Sequence, residues 1–424
     1  MSSRFGHRER MIASALGRFP FLKKLAKNAY QRLNFLLFRK PYRFHTGFEI
    51  QEIRHDNKET FFGYYDHSPL NKTSDYLIFQ ASSRATTKRP DPRDPLEVVL
   101  YDWKKKEVKA VFHSIAYNWQ QGTKLQWLDE KRFIFNDYDA KRDRYVSRIV
   151  DAEKGEVTRT SSHAIYDCHH NFGIGLNFDR LTLLRPDYGY FNRREYLSLS
   201  KLNDKKDGIF YIDLEHDQAD LLISIREIKN FKSRKSFTTA QHKVNHIMLS
   251  PAGDKFIFLH RWIAKGLKTD RLILYHMKTK DLFLLAEGMV SHFAWVNNDE
   301  LFVYMAPEGE EAAYYQVDLK SMHHRKVDDQ LNGNTGDGHP NVHGQKILFD
   351  TYPNKSRMKE LFVYDMKDKE LQKIGEFFEG LAYSGESRCD LHPRWDFHGK
   401  IIFVDSVHSG KRKLYAILYA ERSS

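Results

Sequence analysis

From residue 61 onward the apolar positions fall on alternate residues, in short runs broken by turn-forming residues. That is the period of strands; helices repeat every 3.6 residues. A two-strand unit recurs along the chain as YYDHSPLNKTSDYLIFQAS, KLQWLDEKRFIFNDY, IYDCHHNFGIGLNF, HIMLSPAGDKFIFLHRW, HFAWVNNDELFVYMA, HPNVHGQKILFDTY and HPRWDFHGKIIFVDS. Its turns carry Ser-Pro, Asn-Asp, His-Gly or Pro-x-Gly, the chemistry of tight antiparallel connections. A third alternating strand follows each copy (LEVVLYDW, RYVSRIVD, GIFYIDLE, DRLILYHM, AYYQVDLK, ELFVYDMK, KLYAILYA), and most have a weaker fourth such as EVKAVF, DLFLLAE or ELQKIGE. Repeats of roughly 40–60 residues built from four strands predict an all-β fold, a seven-bladed β-propeller. The last unit has no fourth strand of its own. Residues 42–55, YRFHTGFEIQEIRH, are expected to supply it, closing the ring and removing a free sheet edge. The propeller is then 42–424, preceded by a basic helical extension over 1–41.

Aligning the units on their turns places Tyr64, Lys124, Ile165, His246, His292, His339 and His392 at equivalent positions beside the central channel. Histidine is 21 of 424 residues, so its recurrence in four consecutive units at one register is not a compositional accident. One buried histidine is as readily a hydrogen-bonded filler as a ligand. A group of four favours a metal site or a proton-transfer site, because imidazole is a common metal ligand and titrates near neutrality. The ends of the second strands add His260, Arg261, Tyr352, Asp137, Asn177, and Asp405 with His408 nearby. The long loops RATTKRPDPRDP, IAYNWQQG, RPDYGYFNRREYLSLSKLNDKKD, REIKNFKSRKSFTTAQHKVN and EFFEGLAYSGESRCD fall on the same face, where function on a rigid scaffold concentrates. They carry Arg89, Trp119, Arg185, Tyr188 and Arg388. Arginine forks suit carboxylate or sulfate, and flat rings suit sugar faces.

Charge changes the picture of partners. The net charge is +12, but residues 1–48 hold eleven Lys/Arg against the single acid Glu9, so the remainder is close to neutral. The basicity therefore marks the extension and not a nucleic-acid surface; no nucleic-acid partner is expected. Leu and Phe alternate with Lys and Arg there at roughly helical spacing, which suits either a peripheral contact with an anionic membrane or a helix packed on the body. No apolar run is long enough to span a bilayer, and Arg18, Lys23, Lys24 and Lys27 interrupt any signal-peptide core. A cytoplasmic or membrane-associated location is expected. Cys168 and Cys389 alone offer no disulfide framework. No Walker, dinucleotide or GxSxG pattern occurs.

The runs QHKVNHIMLSPAGDKFIFLHRW, DGHP, DTYP, RCDLHPRW and DSVHSGKRKLY resemble the propeller polysaccharide lyases, namely the oligogalacturonate lyases and more loosely the ulvan lyases. The resemblance covers the last four units best. FFGYYD and NWQQG look like fixed points of a bacterial group linked with polysaccharide gene clusters. The resemblance implies β-elimination at a uronic acid in an anionic oligo- or polysaccharide. His242 or His246 would be the base, Tyr352 or His260 the acid, and Arg261 or Arg388 the partner of the carboxylate. Arg185, Tyr188, Trp119 and Gln121 would complete the substrate surface. His292, His339 and His392 would hold a divalent ion, Mn, Ca or Zn. Two alternatives stand beside this. One is a glycoside hydrolase using a pair among Asp66, Asp137, Asp390 and Asp405. The other is a non-catalytic propeller that binds an anionic glycan or serves as a scaffold in envelope-polysaccharide biosynthesis.

Overall fold

Alternation alone does not explain the inner strands, which are apolar on both faces. Arg132–Asp139 and Tyr76–Ser82 are buried almost throughout, whereas the outermost strands Glu107–Ser114 and Glu156–Ser161 are largely exposed. Continuous burial arises because successive sheets pack face to face and share cores. One core joins Ile257, Leu259 and Leu272 to Leu301 and Val303, and another joins Leu348 and Leu361 to Ile402 and Val404. The structure, a computed structural model, describes residues 20–264 and 266–419; the rest of the basic extension, residues 1–19, lies outside the described residues.

The described chain is mostly β, with antiparallel sheets in the succession of a β-propeller. Five sheets have four strands and one has seven. The seven-stranded sheet runs the fourth and fifth repeat units together through one long strand, Leu282–Asn297, whose register shifts between Val290 and Phe293 mark the passage between them. Strand Glu49–Ile53, inside the 42–55 segment, pairs with Lys413–Leu418 as the outer member of the last sheet. The core containing Ile78 and Phe79 also contains Phe403 and Leu414, so the first and last units pack together.

The first unit departs from the predicted pattern. Its innermost pairing is made by Glu59–Phe61 against Gln80–Ser82, and Leu70 makes only an isolated bridge to Leu77. Between them Phe62–Asp66, the FFGYYD run after its first residue, leaves strand geometry and turns into the centre of the molecule. Gly63 permits this: its φ is +120°, and a Cβ there would lie 2.9 Å from the backbone carbon of Gln121.

Helix Pro20–Phe38 confirms the helical spacing of the extension over that range. Its Phe35 meets Phe378 at 5.9 Å between ring centroids, and Lys40 just beyond it pairs with Glu376 at 2.7 Å. Short helices Phe178–Leu184 and Ile225–Asn230 interrupt the long loops; the first is capped by Asn177, the second by a Ser224/Glu227 capping box. No described helix is long and apolar enough to cross a membrane.

Candidate active site

The run Phe62–Asp66 organises the centre. Phe62 and Gly63 donate their backbone N–H groups to the two carboxylate oxygens of Asp405, each at 2.9 Å. Arg394 pairs with the same carboxylate at 2.9 Å and donates to the carbonyls of Gly63 and Tyr64. Asn341 donates to the Tyr65 carbonyl at 2.8 Å, the Tyr65 hydroxyl donates to the Phe293 carbonyl at 3.1 Å, and Lys124 reaches Asp66 at 2.9 Å. One short run thus engages the second, fifth, sixth and seventh units. Around it His246, His292, His339 and His392 form a chain of rings, with successive centroids 5.9, 4.2 and 4.4 Å apart. Lys124, His246 and His392, equivalent in the repeat, all have left-handed backbone, with φ of 54°, 51° and 43°. Non-glycine residues held there cost about 1–3 kcal/mol each, a strain concentrated at functional positions.

The partners of two histidines assign their tautomers. Asp350 accepts from His339 Nδ1 at 2.9 Å and from the His339 backbone N–H at 2.8 Å, so Nδ1 carries the proton. His392 Nδ1 lies 2.6 Å from the Gly63 carbonyl, which can only accept, so this Nδ1 is protonated too. Both rings are left with a lone pair at Nε2. Both Nε2 atoms are buried without a hydrogen-bond partner. Asp390 stands beside them, and His339, Asp390 and His392 each offer a ligand atom within 4.8 Å of the others, a group able to hold a metal ion. Imidazoles oriented by a carboxylate and by a carbonyl are what metal sites use around the ion. Burial disfavours charge on His339, yet Asp350, Asp390 and Asp337 outweigh it and raise its pKa, so its Nε2 favours a cation there, proton or metal; His392 is held well below the ordinary value by burial and by His339. Asp390 stays ionised despite burial because of Arg388 and His339. The group that could hold an ion contains two of the three histidines expected to do so, with Asp390 beside them; His292 stands next to it, its ring centroid 4.2 Å from that of His339.

His292 is oriented separately. Its Nδ1 lies 3.1 Å from Asp337, whose other oxygen accepts from Ser291 at 2.6 Å. Burial, then His339, lowers its pKa, so the ring is neutral at pH 7. Tyr352 faces both rings, its centroid 6.2 Å from His292 and 5.6 Å from His339, and at 39% exposure it is the open member of the cluster. Although its ring reaches solvent, the dense packing around it, with Asp337 and Asp390, pushes its pKa well up. His246 Nδ1 meets the Tyr64 hydroxyl at 2.5 Å, and the ring is kept neutral by burial and by Arg261.

His242 and His260 are placed elsewhere. Arg271 donates to His260 Nδ1 at 2.9 Å, His260 Nε2 then donates to His242 Nδ1 at 2.9 Å, and His242 Nε2 donates to the Phe237 carbonyl at 3.2 Å. Every ring nitrogen of this pair is engaged, and burial lowers the His242 pKa to about 4. The sign for stability follows. A histidine depressed below its unfolded value of 6.5 contributes fully above that pH, and its contribution is lost as the pH falls toward the folded value. His242 and His408, also lowered to about 4 by burial, act in this window with His246, His260, His292 and His392; His67 and His339, which are raised, oppose them. The free energy of unfolding should fall between pH 6.5 and 4, by about 1.4 kcal/mol per pH unit for each uncompensated histidine, and the urea midpoint with it. A midpoint that is flat or rises across this window would contradict the neutral tautomers assigned above.

The expected substrate residues divide into two groups. Arg388 donates to Asp390 at 2.6 Å, Asp187 at 2.9 Å and the Tyr188 hydroxyl at 3.3 Å; Arg185 pairs with Asp187 at 3.0 Å and lies over the Tyr188 ring. Arg185, Tyr352, Arg388 and Asp390 line a cleft of about 810 Å³ that also takes in Arg89 and, from helix Pro20–Phe38, Gln31 and Asn34. Arg261 is buried and paired with Asp270 at 2.8 Å. Trp119 is 1% exposed, packed edge-on against Phe61 with its Nε1 donating to Lys88, and Gln121 donates to Tyr166 from a buried position. Tyr188 is also buried. These three residues are buried and offer no open face for a sugar. Asp337 and Asp350, which orient the histidines, were present in the DGHP and DTYP runs but carry no signal of that role in sequence.

No protein-family model and no curated protein matches the chain. Among solved structures it is similar to an oligogalacturonate lyase in complex with manganese, at 12% identity over 90% of this chain and 97% of that one, with a TM-score of 0.40. It is similar to oligogalacturonate lyase from Vibrio parahaemolyticus at 10% identity over 89% and 97%, TM-score 0.39. It is also similar to the β-propeller domain of the Trilobed protease from Pyrococcus furiosus at 12% identity over 84% and 94%, TM-score 0.45.

Proposed function

We propose that the chain is a seven-bladed propeller closed by strand Glu49–Ile53, and that it cleaves a uronic-acid-containing oligo- or polysaccharide by β-elimination. The observation that carries this is the convergence of two buried Nε2 lone pairs and the Asp390 carboxylate beside the exposed Tyr352. A mixed nitrogen and oxygen set suits manganese or zinc better than calcium, which prefers oxygen alone. An ion held by His339, Asp390 and His392 would neutralise the uronate carboxylate and so acidify its C5 proton. The His292–Asp337 pair serves as base: neutral His292 takes the C5 proton, the C5–H electrons form the C4=C5 double bond, and the C4–O4 bond breaks. Tyr352, protonated at neutral pH, gives its proton to the departing O4. This moves the base from His242, whose ring nitrogens are occupied, and from His246, whose Nδ1 meets the Tyr64 hydroxyl, to His292; it also leaves Tyr352 rather than the occupied His260 as the acid.

Hydrolysis is less well supported. Asp66 pairs with Lys124, Asp137 with Arg148, Asp390 with Arg388 and Asp405 with Arg394, so each carboxylate weighed for that chemistry faces a cation. A glycosidase acid needs the opposite setting, one that raises its pKa. The test is ultraviolet absorbance of the unsaturated product during incubation with a panel of uronate polymers and added Mn²⁺. Tyr352→Phe should lower kcat by at least about a hundredfold with little change in KM, since it removes only the proton on the leaving group. No product from any uronate polymer would overturn the elimination, and glycan binding without product would leave the binding-only alternative.

A further inference from the structure

We infer that helix Pro20–Phe38 seats the protein on an anionic lipid bilayer and brings the cleft to the membrane surface. The helix has two unlike sides. Toward the body, Asn34 is buried, Phe35 packs on Phe378, and Phe38 lies under the Lys355 ammonium. On the other side Leu33, Leu36 and Leu37, spaced i, i+3 and i+4 and so sharing one face, are 55%, 66% and 70% exposed. Three adjacent open leucines form an apolar patch of the kind soluble surfaces avoid. Exposed cations flank it along the chain, Arg32, Arg39 and Arg43, while Lys40 is held by Glu376.

The charge identifies what covers the patch. Residues 1–48 hold eleven Lys/Arg and one acid. A second copy docking through the same face would set two such segments against each other, and like charge opposes that contact. An anionic bilayer meets both demands, taking the leucines below its headgroups and the cations among its phosphates. Because Gln31 and Asn34 of this helix line the cleft with Tyr352 and Arg388, a helix lying on the bilayer holds the cleft beside it. On the lyase reading above, the substrate presented there is anionic polymer attached to, or emerging from, a membrane. The seating itself does not depend on that reading.

The test is cosedimentation of the full chain with phosphatidylcholine vesicles, with or without phosphatidylglycerol. Binding should be at least about tenfold tighter to the anionic vesicles and should weaken with salt. The triple variant L33N/L36N/L37N should bind them at least about tenfold more weakly with little change in melting temperature, because these leucines are mostly exposed. Equal affinity for both vesicles, no binding by the wild type, or wild-type binding by the triple variant would each overturn the inference. So would a dimer in solution that the triple variant dissolves. Loss of lyase activity with vesicle binding intact would reject the catalytic reading alone.

Discussion

Replacing His339 and His392 together with alanine should abolish Mn²⁺ binding and, with it, elimination. Wild-type protein should take up about one ion per chain by calorimetry, and the double variant none. Both histidines present Nε2 lone pairs locked by their Nδ1 partners, so no rotation of neighbouring groups can replace them. Loss of carboxylate neutralisation removes several kcal/mol of transition-state stabilisation, on the order of 10³ in rate. Asp350→Asn separates a ligand role from a packing role. It keeps the shape of the site but withdraws the charge that orients His339, and should weaken the ion by about 10–100-fold without removing it. If the double variant still binds manganese with wild-type affinity, the ion sits elsewhere. If Asp350→Asn binds like wild type, the tautomer assigned to His339 is wrong.

How much of this was legible in sequence depends on the range of the interactions involved. The strands were legible because a period of two is local, and so was the register that brings His246, His292, His339 and His392 side by side. The helical spacing of the extension was visible for the same reason. His242 and His246, weighed together as the base, are set apart: four residues along a strand separate side chains by roughly 13 Å, and the ladder also shifts between Asn245 and Met248. Asp390 was weighed as a hydrolytic carboxylate; only its proximity to the two histidines makes it a candidate ligand. Trp119 reads as a platform in a loop, but the loop folds it against Phe61 and Tyr117. The role of FFGYYD was the least legible. Most of its partners lie in units more than 200 residues away, and no local pattern encodes them.

That long-range role makes Asp405 the position whose loss should be most severe for stability. Its carboxylate is 1% exposed and does three things: it accepts the Phe62 N–H, accepts the Gly63 N–H, and neutralises fully buried Arg394. Asp405→Ala leaves a buried cation without its partner and two buried donors without acceptors. Breaking a buried pair from one side costs about 3–5 kcal/mol, more than either member contributes when both are present. The variant should therefore unfold at markedly lower urea. Asp405→Asn retains an acceptor oxygen but loses the charge, and should fall between the two. The effect should also reach the site, because the Gly63 carbonyl holds His392 Nδ1 and is itself held by Arg394 and, through its own N–H, by Asp405. In any Asp405 variant that remains folded, Mn²⁺ affinity should drop, although no atom of Asp405 belongs to the ligand group. Unchanged stability in Asp405→Ala would mean that the FFGYYD run is held by its other contacts. Lowered stability with unchanged metal affinity would separate the hub from the site it is argued to shape.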